Sequence, residues 1–330
     1  MSLITFTDKG IYCPQADVYI DPWKPVKRAL ITHGHADHAR WGHRKYVATH
    51  RAVPVIKYRL GDINISGVDY GQDFSANGVK ISFHPAGHII GSAQIRLEYK
   101  GEIWVVSGDY KLGEDGLCTP FEPVKCTHFV TESTFGLPVF QWKDQNDVFS
   151  EINSWWKKNK EEGKVSILST YALGKAQRVI SNVDRSIGKI FTHGAIENTN
   201  KVLRGSGEKI PKTIRVTSDY DFNHFKGNLV LATPSGIGSS WVKKFRNYSV
   251  GVASGWMAMR GTRRRRAADR GFILSDHADW KELNTAVEAT GAENIFVTHG
   301  YTEIFTKWLQ DQGYNAQIVR TEFMGDEEVE

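Results

Sequence analysis

Short β-branched and aromatic runs recur along the 330-residue chain, and the residues that follow them are alike. RALI runs into THGHADH, IWVV into SGDY, HFV into TEST, GFIL into SDHAD and NIFV into THGY. An apolar run of about four to eight residues closed by polar or turn-forming residues reads as a buried strand. Each of these strands therefore ends in Ser, Thr, Asp, Glu or His. An α/β or layered β enzyme presents such ends along one edge.

Between the third and fourth runs the pattern changes to strand and helix signals in alternation. VSIL precedes STYALGKAQRVISNV, KIF precedes THGAIENTNKVL and NLVL precedes ATPSGIGSSWVKKF, the order expected of a doubly wound parallel sheet. A leading helix over about Asp147–Lys160 carries Trp155 and Trp156 and ends near Gly163. The expected organisation is an α/β domain inserted at 145–262, with flanks 1–144 and 263–330 closing on each other as one domain split in sequence. No repeat of fixed period is present.

Composition narrows the class. With 40% hydrophobic and 24% charged residues the chain has the make-up of a soluble globular protein. No apolar run approaches the ~18 residues of a membrane span. The opening MSLITFTDKG lacks the basic-then-apolar layout of a signal peptide, so a cytoplasmic protein without membrane contact is expected. Cys13, Cys118 and Cys126 form no CxxC spacing and read as buried thiols, not as a disulfide framework or a thiolate metal site. Charge is more telling. The stretch Arg260–Arg270 holds six arginines and one aspartate, which equals the formal net charge of +5 for the whole chain. A polyanion would meet that charge at one place instead of diffusely.

ITHGHADHAR sets His33, His35, Asp37 and His38 within six residues directly after a strand signal. Imidazole and carboxylate are ligands for a borderline divalent ion. Side-chain alternation carried past the strand would divide these residues between two sides, a division that suits two ions better than one. Further ligands come from other strand ends: His88 in PAGHIIGS, Asp109 in SGDY, whose carboxylate could bridge two ions, and His299 in VTHGY. Taken singly, His88 and Asp109 read equally well as turn residues; the set is what points to metal.

HxHxDH at His33–His38, AGH at Ala86–His88 and GD at Gly108–Asp109 together resemble the metallo-β-lactamase fold, a four-layer αββα sandwich. TEST at Thr131–Thr134, SDHAD at Ser275–Asp279 and THGY at Thr298–Tyr301 resemble the further motifs of its β-CASP nuclease branch, which carries an inserted α/β domain. YALGKAQ at Tyr171–Gln177 is similar to the first strand-to-helix turn of that insert. The opening YIDPWKPVKRALITHGHADHARWG, the segment RGTRRRRAADRGFILSDHADW and the chain length are similar to the bacterial ligase-associated DNA exonucleases, also labelled mRNA 3′-end processing factors. The resemblance covers essentially the whole chain.

It implies one ion held by His33, His35 and His88 and a second by Asp37, His38 and His299, with Asp109 bridging. Zinc or manganese is implied, with iron open. His277 would be the general acid that protonates the departing ribose oxygen, and Glu132 would orient a catalytic or ligand histidine. Without the resemblance, Glu132 reads as a cap beside Thr131 and Ser133, and His277 as a neighbour of an acidic turn. The implied reaction is in-line attack on phosphorus that leaves a 5′-phosphate on the product. The implied substrate is nucleic acid, DNA before RNA, attacked from the 5′ end of single-stranded or frayed DNA during repair. A functional link to an ATP-dependent DNA ligase and a DEXH-box helicase is also implied. An RNA-processing β-CASP ribonuclease is the first alternative, and a metallo-β-lactamase-fold hydrolase of a small ester or thioester the second. A binding module without activity is a third, against which the complete ligand set argues.

Arg263, Arg264, Arg265 and Arg266 are the expected phosphate contacts, although a plain charged loop would look the same; Arg260 and Arg270 read as structural. Lys175 near a helix start and Ser235 in ATPSGIGSS are expected to meet phosphate in the insert. Trp256 and Trp280 flank the arginines and either stack bases or fill the core. His43, His50, His84, His128, His193 and His224 read as structural.

Overall fold

Strands of the first half pair in the order the chain delivers them. In a computed structural model, which describes residues 2–259 and 268–323, β1 (Thr5–Thr7), β2 (Gly10–Cys13), β3 (Val18–Ile20), β4 (Arg28–Leu30), β5 (Lys45–Thr49) and β6 (Ile65–Val68) form one sheet in sequence order. A second sheet begins with β7 (Phe74–Ala76), β8 (Val79–Pro85), β9 (Ala93–Tyr99), β10 (Glu102–Val106) and β11 (His128–Ser133). The chain then builds a separate unit over Trp142–Asp276.

That unit holds a wholly parallel sheet of β12 (Val165–Ser169), β13 (Ile190–Thr192), β14 (Ile214–Arg215), β15 (Leu229–Ala232), β16 (Tyr248–Ala253) and β17 (Arg270–Phe272), in the order β14-β13-β15-β12-β16-β17. Helices cover a parallel sheet on both faces, so its strands need apolar residues throughout; VSILS and LVLA are buried at every position. The leading helix runs over Gln145–Glu161, and its N-cap Asp144 accepts from the Asn146 N–H. Trp156 is fully buried and donates its indole N–H to the Gly227 carbonyl, whereas Trp155 is half-buried and donates to the Ser249 hydroxyl.

On returning at His277 the chain completes the second sheet with β18 (Asn294–Gly300) and β19 (Asn315–Ile318), giving the order β19-β18-β11-β10-β9-β8-β7. Alternation along β10 explains the layering. Trp104 and Val106 join Ile11, Ile20 and Leu30 of the first sheet and Phe83, Ile95 and Phe296 of the second in one buried cluster. Val105, facing the other way, packs with Phe129, Ile295 and the helical residues Leu283, Val287, Phe305 and Leu309. Beyond the first sheet, Ala29, Tyr46 and Ala48 pack on Ala52 and Ile56. The layers are therefore helix, sheet, sheet, helix: the αββα sandwich. Each large side chain in the central layer contributes about 1.5–3 kcal/mol by its burial. The helix Trp280–Thr290 starts at a capping box in which Asp279 accepts from the Glu282 N–H, and stops at Gly291 in the left-handed conformation.

All three cysteines are free, with Cys13 and Cys126 buried. Among the described residues no helix is long and apolar enough to cross a membrane.

Candidate metal centre

Polar strand ends of the first unit meet at one place. The loop after β4 carries His33, His35, Asp37 and His38; His88 follows β8, Asp109 follows β10, Glu132 lies in β11, His299 in β18, and His277 stands just before the helix Trp280–Thr290. Because the first four residues lie on a loop, strand alternation does not sort them onto two sides, and their directions are set by the loop's own bends. Two glycines let the loops approach. Gly87 sits at φ +74°, and a Cβ there would fall 2.2 Å from the Lys111 carbonyl; at Gly108, φ +56°, it would fall 2.7 Å from the Thr32 side chain.

Asp109 is the centre of the cluster. Its Oδ2 lies 3.5 Å from His33 Nε2, 3.4 Å from His38 Nε2 and 3.8 Å from His88 Nε2, and its Oδ1 lies 3.2 Å from His299 Nε2. Asp37 Oδ2 is 3.6 Å from His38 Nε2, and His35 Nδ1 is 3.0 Å from His88 Nε2. One donor atom from each of His33, His35, His88 and Asp109 falls within 4.8 Å of the others. His33 Nε2, His38 Nε2, His299 Nε2 and Asp109 Oδ1 are buried and make no hydrogen bond among the described residues. Buried polar atoms left without a partner at such spacing are costly in a protein interior. Divalent cations would satisfy all of them at once, so the residues fit the group that the donor set calls for.

The electrostatics agree. Burial, with the neighbouring histidines, holds His33 well below the ordinary imidazole range, which keeps it neutral and able to ligate. Burial also disfavours charge on His38, but Asp37 and Asp109 outweigh it and raise its pKa well above the usual value. Asp109 resists burial in the same way: His38 and His277 hold its carboxyl well below the ordinary range. The anion is thus present to receive cations.

Outer nitrogens of the histidines are engaged, which turns the inner ones toward Asp109. His38 Nδ1 lies 2.8 Å from Asp21 Oδ2, and His33 Nδ1 lies 3.0 Å from Thr32 Oγ1, whose hydroxyl donates to Asp21 Oδ2. The Thr32 N–H donates to Asp21 Oδ1. One buried carboxylate therefore fixes two candidate ligands. Sequence reasoning missed Asp21: a lone acid before proline carries no spacing signal, and only the pairing of β3 with β4 brings it beneath Thr32. An Asp21→Asn substitution keeps the acceptor for the Thr32 N–H and loses the charge behind His38. Metal affinity, read by competition against a chelator, should fall by about 10- to 100-fold, and an unchanged affinity would remove this role.

Glu132 and His277, 145 residues apart, form a pair: His277 Nδ1 lies 3.0 Å from Glu132 Oε2 and 3.1 Å from Oε1, and Glu132 also accepts from the Tyr110 N–H at 2.9 Å. The His277 ring is 4.6 Å from that of His88, and donor atoms of Asp109, Glu132 and His277 fall within 4.8 Å of one another. Phe323 was not anticipated. Its ring stacks flat on His38 at 4.5 Å and meets His299 edge-on at 5.7 Å.

Other expected contacts fall elsewhere. Arg263–Arg266 lie outside the described residues. Lys175 opens the helix Lys175–Asn182 of the second unit and is buried. Ser235 lies in the short helix Pro234–Ile237, its hydroxyl 3.0 Å from that of Thr233. Trp280 is partly buried and packs against Phe305 and Trp308 at the edge of the core. His193 caps the helix Gly194–Gly205.

No protein-family model matches the chain. Curated proteins do. The chain is 27% identical over 314 residues to a probable DNA ligase of Opitutus terrae, covering 94% of this chain and 30% of that protein. It is 23% identical over 176 residues to cleavage and polyadenylation specificity factor 73 of Drosophila melanogaster, covering 49% of this chain and 25% of that one. An RNase J-like protein of Methanocaldococcus jannaschii is 26% identical over 211 residues, 54% of this chain and 50% of its own length. The chain thus spans half or less of each of these relatives. Among solved structures, a protein of unknown function from Enterococcus faecalis shares the fold with a TM-score of 0.59 at 10% identity, over 90% of this chain and 80% of that one. With its αββα layering, its motifs and these relatives, the chain has the metallo-β-lactamase fold and is similar to proteins of its β-CASP branch.

Proposed function

We propose that the chain is a two-metal phosphodiesterase acting on nucleic acid, and within that class a DNA exonuclease that works from the 5′ end of single-stranded or frayed DNA in repair. The observation that carries the nuclease reading is the meeting of six metal-type side chains around Asp109 with the Glu132–His277 pair beside them. The preference for DNA draws on the relative named a probable DNA ligase, which is similar over 94% of this chain. A functional link to an ATP-dependent ligase and a DEXH-box helicase belongs to the same proposal.

His33, His35 and His88 would hold one ion and Asp37, His38 and His299 a second, with Asp109 shared. Bound zinc, manganese or iron would neutralise charge on the phosphoryl oxygens and activate a water for attack. The chain's own groups do the rest. Glu132 accepts a hydrogen bond from Nδ1–H of the protonated His277, and the proton on Nε2 is the one delivered to the leaving oxygen. As the bond from phosphorus to the 3′-oxygen breaks, that proton passes to the oxygen, and the product keeps a 5′-phosphate. Arg263–Arg266 enter as phosphate contacts on sequence grounds.

A second reading, RNA processing, is favoured by relatives named endoribonuclease and RNase J-like. End-labelled DNA and RNA of one sequence, digested side by side with early product lengths read, separate the two. DNA shortened stepwise from its 5′ end is expected. A clear preference for RNA overturns the DNA reading, and cleavage of neither overturns the nuclease.

A further inference from the structure

Three lysine and arginine side chains are buried among the described residues: Lys111, Lys175 and Arg178. Lys111 is paired with Asp115 at 2.6 Å, and Arg178 with Asp276 at 3.1 Å. Lys175, only 4% exposed, has no carboxylate partner among the described residues; its ammonium rests over the Tyr171 ring, 4.6 Å from the centroid. An uncompensated buried cation is costly, because neither water nor a counter-charge offsets its desolvation. A cation–π contact recovers about 2 kcal/mol at most in such surroundings. The same turn holds a second incomplete group. Thr170 is 2% exposed, and its hydroxyl makes no hydrogen bond among the described residues.

Topology gives this turn a reason to bind something. Chain leaving β12 crosses to β13, two places along the sheet in one direction, while chain leaving β15 crosses to β16, two places in the other. Right-handed crossovers put those two connections on opposite faces, and in open α/β sheets ligands bind outside the carboxyl ends of the strands adjacent at such a switch, here β12 and β15. Thr170 stands there, its N–H donating to the Ala232 carbonyl at 2.9 Å. Lys175 closes the same turn as the first residue of the helix Lys175–Asn182.

We infer that the Thr170–Lys175 turn is an anion site of the inserted unit that takes a phosphate group through the Lys175 ammonium and the Thr170 hydroxyl. Two sources share that chemistry, a terminal phosphate and an internal phosphodiester of a polynucleotide. Only this identification of the source rests on the nuclease reading.

The test uses the full chain freed of metal by chelation, with Lys175→Met, which keeps the aliphatic stem over Tyr171, and Lys175→Arg, which keeps the charge. Inorganic phosphate, added against chloride at equal ionic strength, should raise the Tm of the wild type and of K175R and leave K175M unmoved. In chloride alone K175M should melt no lower than the wild type, since an uncompensated charge has been removed. No phosphate response in the wild type, an equal response in K175M, or a K175M that melts lower in chloride each overturn the site. Single-stranded oligonucleotides with and without a 5′-phosphate then separate the sources. With K175M the slope of log affinity against log salt should become shallower by about 0.7, one phosphate contact. A loss confined to the phosphorylated strand assigns the terminal group, and a loss on both assigns an internal phosphodiester. A wild type that responds to phosphate and binds neither strand keeps the anion site and removes the nuclease reading.

Discussion

Replacing Asp109 with asparagine should strip the protein of metal and of activity together. Its carboxylate lies within 3.8 Å of four imidazole nitrogens, from His33, His38, His88 and His299. An amide of the same shape keeps the volume and loses the negative charge on which two cations would depend. Metal content by mass spectrometry should drop from about two ions per chain to one or fewer. Phosphodiester cleavage should drop by roughly 10³-fold or more, since metal ions supply several kcal/mol of transition-state stabilisation and each 1.4 kcal/mol is tenfold. Circular dichroism should be unchanged, because the layers beneath the site are built from Trp104, Val106, Phe83 and their neighbours. Full occupancy in this variant would show that Asp109 is not shared between ions and would sink the two-metal arrangement.

How much of this was readable beforehand follows from where the information lies along the chain. The run His33–His38 is legible because four ligand-type residues fall within one loop, and His88, Asp109 and His299 because each ends an apolar run. The sandwich was legible only through the resemblance those motifs carry; its physical basis, alternation along β8–β10 that separates the two faces of the second sheet, is seen in the folded chain. Asp21 and Phe323 are not. Asp21 becomes a partner of His38 only when β3 pairs with β4, and Phe323 reaches His38 from the far end of the chain. Neither position carries a period or a spacing, because topology alone makes the contact. The bending of the His33–His38 loop illustrates the converse error: strand alternation was extended past Leu30, where the strand stops. Lys175 stands between these cases. Its place at a helix start was visible, but its lack of a carboxylate partner among the described residues is a property of the folded environment.

The largest expected effect that leaves metal in place belongs to His277. An alanine there removes the proposed proton donor, and a positioned general acid is worth about 10²- to 10⁴-fold in rate. The same variant decides between two roles, because His277 also lies close enough to Asp109 and Glu132 to be a ligand. If it donates a proton, H277A retains its full metal complement and loses most of its rate on a natural phosphodiester. It should then cleave a thymidine 5′-nitrophenyl phosphodiester almost as fast as the wild type, since nitrophenolate leaves without a proton. A ligand would show the reverse: metal content would fall, and both substrates would suffer alike. Glu132→Gln tests the other half of the pair. The glutamine can still accept from the Tyr110 N–H, but it no longer carries the charge that holds the His277 Nδ1 proton. E132Q should therefore resemble H277A on the natural substrate, with a smaller loss, and spare the nitrophenyl ester as well. Combining the two substitutions should add little to H277A alone, because the carboxylate acts through the imidazole. Additive losses would separate the two residues and end the reading of Glu132 as the group that orients His277.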